Sequence, residues 1–189
     1  KRFDMVAAEM AILPDRCNTV IYSEPNTSYG EGLLVKAGNP KNIKGYEDFK
    51  EGNYKVAIMA GADQLEMLQA LGVSENKMVT IAANSDAIST VATGRADAYA
   101  ATGQTAAGLA MQSKKVGVVE DFVDPVINGE QVRSWGGFTF GKDSVDLRDA
   151  FNAELAKFKQ TQEWQDILDK NGFVEHDRDE SFKKTTKEL

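Results

Sequence analysis

The chain has 189 residues, 42% of them hydrophobic and 27% charged, and a formal net charge of −7. That length suits one large domain or two small lobes with a buried core, and the acidity argues against non-specific nucleic-acid binding, which needs a basic face to displace phosphate counterions. No apolar run is long enough to span a bilayer, and the single cysteine, Cys17, rules out an intrachain disulfide.

The chain begins at Lys1-Arg2 without a methionine and runs directly into a strand, so an upstream segment is expected to have been removed. Apolar content predicts that strand over Phe3 to Ala8, followed by a Pro-Asp-Arg turn at Pro14 to Arg16 and a second strand over Gly32 to Val35. Arg16 thus stands just beyond a strand end, where open α/β sheets bind small molecules. Further strands are predicted over Lys55–Met59, Met78–Ala82, Asp97–Ala101, Val116–Val119 and Gly137–Phe140. Between them, Leu65, Leu68 and Leu71 recur at helical spacing, and Asn84-Ser85-Asp86 offers a cap to a helix that Gly94 ends. Leu147, Phe151, Leu155 and Phe158 form an apolar stripe predicted to be core, and Trp164, Ile167 and Leu168 continue it in a second helix ending near Asn171-Gly172. Such alternation favours a mainly parallel sheet with helices on both faces.

An internal echo suggests two similar lobes. Arg2-Phe3-Asp4-Met5-Val6-Ala7-Ala8 keeps its Arg, Asp and Ala-Ala pair in register with Arg95-Ala96-Asp97-Ala98-Tyr99-Ala100-Ala101. The residues that follow the two strands, Glu9 and Thr102, are then expected at equivalent places at the mouth of a cleft.

The opening stretch FDMVAAEMAILPDRCNTVIYSEPNTSYGEGLLVKAGNP, residues 3–40, resembles the substrate-binding proteins of bacterial ABC importers for polar amino acids. These combine a strand with P-x-R, S-x-P and G-x-x-L-V-x-x-G-N-P. PDRC at Pro14–Cys17 and LRDAFNAELAKFK at Leu147–Lys159 look closest to the ectoine and hydroxyectoine binders. The resemblance implies an α/β, two-lobed, type II periplasmic-binding-protein-like fold with the N-terminal part of lobe one missing. Lobe one would be 1–38 with 133–189, and lobe two 39–132. It also implies a periplasmic or extracytoplasmic location, with a lipoprotein anchor allowed. A membrane ABC permease would be its partner, and the full-length protein would be a monomer.

By the same resemblance, Arg16 falls on the arginine that clamps a ligand carboxylate, through the paired hydrogen bonds a guanidinium offers. Glu9, Met10 and Ala11 would line the approach, although ectoine binders carry an aromatic where Ala11 stands. Gly61, Ala62 and Asp63 match the family's G-T-T position at a helix start, where backbone N–H groups attract anions. Asp63 departs from that pattern, since an acid would repel a carboxylate; it reads as a helix cap or as a partner for a cation. Thr102 aligns with the acid that holds the α-ammonium of amino acids, so a zwitterionic or cationic solute must find negative charge elsewhere, with Glu9 and Asp63 as candidates.

Catalysis finds less support. The one histidine, His176, lies in the polar run Glu175-His176-Asp177, and no phosphate-binding loop, dinucleotide fingerprint or Cys/His metal cluster occurs. Cys17 reads as a small packing residue, and Lys183, Lys184 and Lys187 as part of a solvated tail. No cofactor or metal is implied. The sequence therefore reads as a binder that captures a small zwitterion or amino-acid-like solute. The alternatives are a receptor's sensing domain or a dehydratase or lytic enzyme using Glu9 as an acid.

Overall fold

A computed structural model describes residues 3–189, so Arg2, one member of the internal echo, lies outside the described residues. In chain order the elements are β1 (Met5–Ala11), β2 (Ile21–Tyr22), β3 (Thr27–Tyr29), β4 (Glu31–Lys36), α1 (Asp48–Glu51), β5 (Val56–Met59), α2 (Gln64–Ala70), β6 (Met78–Ile81) and α3 (Asp86–Ala92). There follow β7 (Ala98–Thr102), α4 (Gly103–Ala110), β8 (Val116–Val118), β9 (Val126–Ile127), β10 (Glu130–Gln131), β11 (Ser134–Phe140), α5 (Val145–Phe158), α6 (Gln162–Lys170) and α7 (Glu175–Glu180). The chain divides into two units, one holding the described residues as far as Tyr29 together with Arg133–Leu189, the other Gly30–Val132. Residues 30–38, assigned above to lobe one, fall instead in the second unit, because β4 pairs with both β7 and β8.

In the second unit the sheet order is β6-β5-β7-β4-β8. The first three strands run parallel, whereas β4 is antiparallel to β7 and β8. Its strands are apolar at consecutive positions because both faces are covered. Leu33, Val35, Val56 and Ile58 pack with Ile43, Tyr46, Phe49 and Leu68 on one side. Leu34, Ala57 and Tyr99 pack with Ala87, Val91 and Leu109 on the other. The helix ends follow the local chemistry. Gly94 takes φ 77 just after α3, and the Thr102 side chain accepts from the Thr105 N–H at 3.2 Å to cap α4. The expected Asn84-Ser85-Asp86 cap is rearranged: Ser85 makes no side-chain cap bond, Asp86 accepts from the Ala83 N–H at 3.2 Å, and Asn84 accepts from the Tyr99 hydroxyl.

The first unit departs from the parallel expectation. Here β11 pairs antiparallel with β1, β2 and β3. On this sheet Phe151 of α5 packs against Phe138 and Phe140 at ring-centroid distances of 4.9 and 5.6 Å. The apolar stripe is not all core: Leu155 is buried, but Leu147 is 45% and Phe158 37% exposed. Phe151, Leu155 and Phe158 line a groove of about 900 Å³ with Phe138, Trp164 and Leu168. The last helix is tied down by Arg133, which donates to Ser28 Oγ and to Asp177, each at 3.0 Å. Nor is the lysine-bearing tail simply solvated, since Thr186 donates to Glu24 at 3.0 Å and to the Ser23 carbonyl at 2.6 Å. Lys159 is buried, with Nζ donating to the Pro25 and Ser181 carbonyls at 2.7 and 2.8 Å. Its ammonium lies 4.1 Å from the Phe182 ring centroid, and burial lowers it to about 8 despite the opposing pull of Glu9 and Glu24.

Candidate functional site

Arg16 opens a short 3-10 turn, Arg16–Asn18, reached from the end of β1 through residues 12–15. Its Nη1 donates to the Ala11 carbonyl at 3.2 Å, and that carbonyl also accepts from the Tyr22 hydroxyl at 2.9 Å. The last residue of the strand thus anchors the guanidinium while leaving further N–H donors of the fork for a ligand. The Ala11 side chain itself is buried, so what this residue contributes here is its carbonyl. Burial pushes the Tyr22 hydroxyl up, against the opposing effect of Arg16. Cys17 is exposed rather than packed, because the tight turn faces it outward.

Glu9 does not follow the first strand but lies within it. The register with β11 shifts between Val6 and Met10, and Glu9 takes φ 46 there, a conformation that costs a non-glycine residue energy. The bulge turns the carboxylate inward. Asn26 Nδ2 donates to one oxygen at 2.6 Å and Thr27 Oγ1 to the other at 2.5 Å. Trp164 Nε1 then donates to Asn26 Oδ1 at 3.2 Å. A Cβ on Gly136 would meet Glu9 Oε2 at 2.7 Å and Thr27 Oγ1 at 2.9 Å, so the facing strand needs glycine at this point. Met10, next along the strand, accepts weakly at sulfur from Thr139 Oγ1 at 3.9 Å.

In the second unit the topology gathers the remaining candidates at one end of the sheet. β5 leads through Gly61, at φ 79, and Ala62 to Asp63, the residue preceding α2, whose side chain makes no cap bond. β7 ends at Thr102, whose hydroxyl is engaged in capping α4 and in a 2.9 Å contact with Thr105 Oγ1. Glu31, which the sequence reading passed over, begins β4 directly opposite Thr102. It is 6% exposed. Its Oε2 accepts from Tyr46 Oη at 2.9 Å and Gln64 Nε2 at 2.7 Å, while Oε1 is buried without a partner. Its backbone N–H donates to Asp124 Oδ1 at 3.3 Å. Burial raises the Glu31 carboxyl to about 7, with Asp63 and Asp124 adding to the rise and the Gln64 and Tyr46 bonds opposing it. Tyr46 is pushed well above its usual range, chiefly by burial and then by Glu31. The signal that could have found Glu31 is an acid in an otherwise apolar buried run, Gly32-Leu33-Leu34-Val35.

His176 is exposed on α7, 4.0 Å from Glu180, remote in kind from a buried triad histidine. Among the described residues no group of three or more His, Cys, Asp or Glu is arranged to hold a metal ion, and no helix is long and apolar enough to cross a membrane.

Two α/β units, the first discontinuous in sequence and the second inserted between its two segments, define a type II periplasmic binding protein fold. Residues 1–173 match the bacterial extracellular solute-binding proteins, family 3, and the chain belongs to that family. A probable amino-acid ABC transporter periplasmic-binding protein of Sinorhizobium fredii (strain NBRC 101917 / NGR234) is 58% identical over 188 residues. The alignment covers 100% of this chain and 62% of that protein, so the chain spans less than two-thirds of the relative's length. Among solved structures, EhuB in complex with hydroxyectoine matches with a TM-score of 0.82 and 26% identity, covering 100% of this chain and 71% of that one. The ancestral amino acid-binding protein AncCDT-1, a precursor of cyclohexadienyl dehydratase, matches with a TM-score of 0.74 and 27% identity, over 89% of this chain and 69% of that one.

Proposed function

We propose that the protein captures a small zwitterionic or amino-acid-like solute, ectoine-like or a polar amino acid, outside the cytoplasm and passes it to an ABC permease. The observation that carries this reading is the 58% identity sustained along the whole chain to an amino-acid ABC transporter binding protein. The fold match to a hydroxyectoine complex supports the solute class. On the first unit, Arg16 is the proposed carboxylate clamp, with Met10 and Ala11 supporting the strand end that holds it. On the second, Gly61, Ala62 and Asp63 are the proposed contacts, with Thr102 shaping the adjacent helix start. Glu9 is proposed as a support of the site's wall, since both its oxygens already accept bonds within the first unit. That engagement also disfavours Glu9 as a catalytic acid, which must be free to give up a proton to substrate.

The test is differential scanning fluorimetry and calorimetry of the purified protein with arginine, glutamine and hydroxyectoine. At about a hundredfold excess over Kd, a bound solute adds about 2.7 kcal/mol to stability. A clear rise in Tm with at least one of them, lost in Arg16→Ala, is expected. Solute turnover without stabilisation would favour the dehydratase alternative, and no response to any of these solutes would overturn the proposed class. The full-length protein is expected to sediment as a monomer with and without solute.

A further inference from the structure

A carboxylate removed from water without a counter-charge is costly, and the usual resolutions are neutralisation or an external cation. Glu31 is in that position. Of its two oxygens, Oε2 is held by Tyr46 and Gln64, and Oε1 has no partner although it is buried. The charged groups acting on it are Asp63, ahead of α2, and Asp124, which follows β8, and both are acids. Asp63 and Asp124 are partly exposed, whereas Glu31 lies deeper. Thr102 faces Glu31 across the β4–β7 pair, so both side chains stand on the same face of the sheet. A hydroxyl with its own capping duty therefore occupies the neighbouring place and leaves the negative charge to Glu31.

We propose that Glu31, with Asp63 and Asp124 at its rim, is the acidic floor of a subsite in the second unit that takes a nitrogen cation of the solute. The inference rests on the solute-capture reading and names the chemistry that reading left open. An ammonium, amidinium or guanidinium carries several N–H donors and no acceptor, the chemical complement of a bare carboxylate oxygen with further acids acting on it. A metal ion fits less well, since among the described residues no side-chain group is arranged to ligate one. Glu31 then acts as a specificity-determining residue. Tyr46 and Gln64 fix one oxygen and thereby orient the other. The carboxyl stands at about 7 with the subsite empty, and a cation favours its ionised form. Affinity for a cationic solute should accordingly rise as the pH passes from about 6 to about 8.

The experiment follows the carboxyl carbon of Glu31 by NMR across pH, in the protein alone and with methylguanidinium, arginine or hydroxyectoine at matched ionic strength. Calorimetry of wild type and Glu31→Gln accompanies it. The expected result is a Glu31 titration that moves down by at least about one unit with a cationic probe. In parallel, Glu31→Gln should lose about tenfold or more in affinity and its dependence on pH near neutrality. Tyr46→Phe provides a second variant that keeps the acid but removes one of its anchors, and should show a smaller loss. Arginine or hydroxyectoine binding that leaves the Glu31 titration unmoved, or Glu31→Gln binding as wild type does, overturns the subsite while the solute-capture reading stands. A Glu31 response to methylguanidinium with no binding of any solute supports the subsite and overturns the reading. Silence to every probe overturns both.

Discussion

Glu9 and Glu31 are both acids set in β-strands, one in each unit, and they are treated in opposite ways. Glu9 receives a side-chain donor on each oxygen, from Asn26 and Thr27, and the chain accepts a bulge with φ 46 to deliver it there. Glu31 receives both of its side-chain donors on one oxygen, and the other is left bare among acids. A fully satisfied carboxylate rigidifies its surroundings, whereas a half-satisfied buried one is costly and calls for an explanation. The contrast teaches that two strand acids of like charge differ in the count of donors on each oxygen, and it is that count which singles out Glu31 for the proposed subsite.

The largest effect that would break this contrast is on pH dependence. The Glu31 carboxyl is raised from 4.5 to about 7 in the folded protein, so the folded state holds its proton more tightly than the unfolded one. Its contribution is fully present below about pH 4.5 and is lost as the pH rises through about 7, a loss on the order of 3 kcal/mol. Glu31→Gln should flatten that segment of a stability-versus-pH curve measured by urea denaturation; an unchanged slope would remove Glu31 from the comparison.

Next in size, Glu9→Ala should cost about 2–3 kcal/mol by stranding the Asn26 and Thr27 donors, and urea denaturation at neutral pH measures it. Glu9→Gln should recover part of that loss, since its amide oxygen still accepts one bond. If Glu9→Ala proves as stable as wild type, the carboxylate is not the structural acid its geometry describes. The smallest effect belongs to Thr102→Ala, which removes the α4 cap and should cost about 1 kcal/mol in the same measurement. Solute affinity in this variant should change little if Glu31, rather than Thr102, supplies the negative charge on this part of the sheet.

The strands of the second unit were readable because they are apolar on both faces: the expected Lys55–Met59 and Met78–Ala82 differ from β5 and β6 only at their ends. What escaped notice is short or irregular. β2 and β3 have two and three residues, interrupted by Pro25, and exist because β11 offers them a partner more than a hundred residues away. The β9–β10 hairpin did carry a local signal, Asn128-Gly129, both at positive φ as a tight two-residue turn requires. In the candidate site, Arg16 and the Gly61–Asp63 turn were legible as turn residues after strands. Glu31 was not, because no local pattern reveals that Tyr46 and Gln64 converge on one of its oxygens; that is fixed by tertiary packing alone. The same holds for Glu9, whose strand the sequence ends at Ala8 and the bulge carries on to Ala11.

Lys159 gives the molecule a built-in chemical clock. With its amine brought down to about 8 by burial, a large share of it is neutral in mildly alkaline buffer while the junction is closed. The carbonyls of Pro25 and Ser181 and the ring of Phe182 crowd the ammonium, and the residue is only 7% exposed. Its labelling rate therefore registers how often the junction between α5 and the C-terminal segment comes apart, while the exposed lysines beside it react at once. The same enclosure shields the 159–160 peptide bond from trypsin for as long as that junction stays closed.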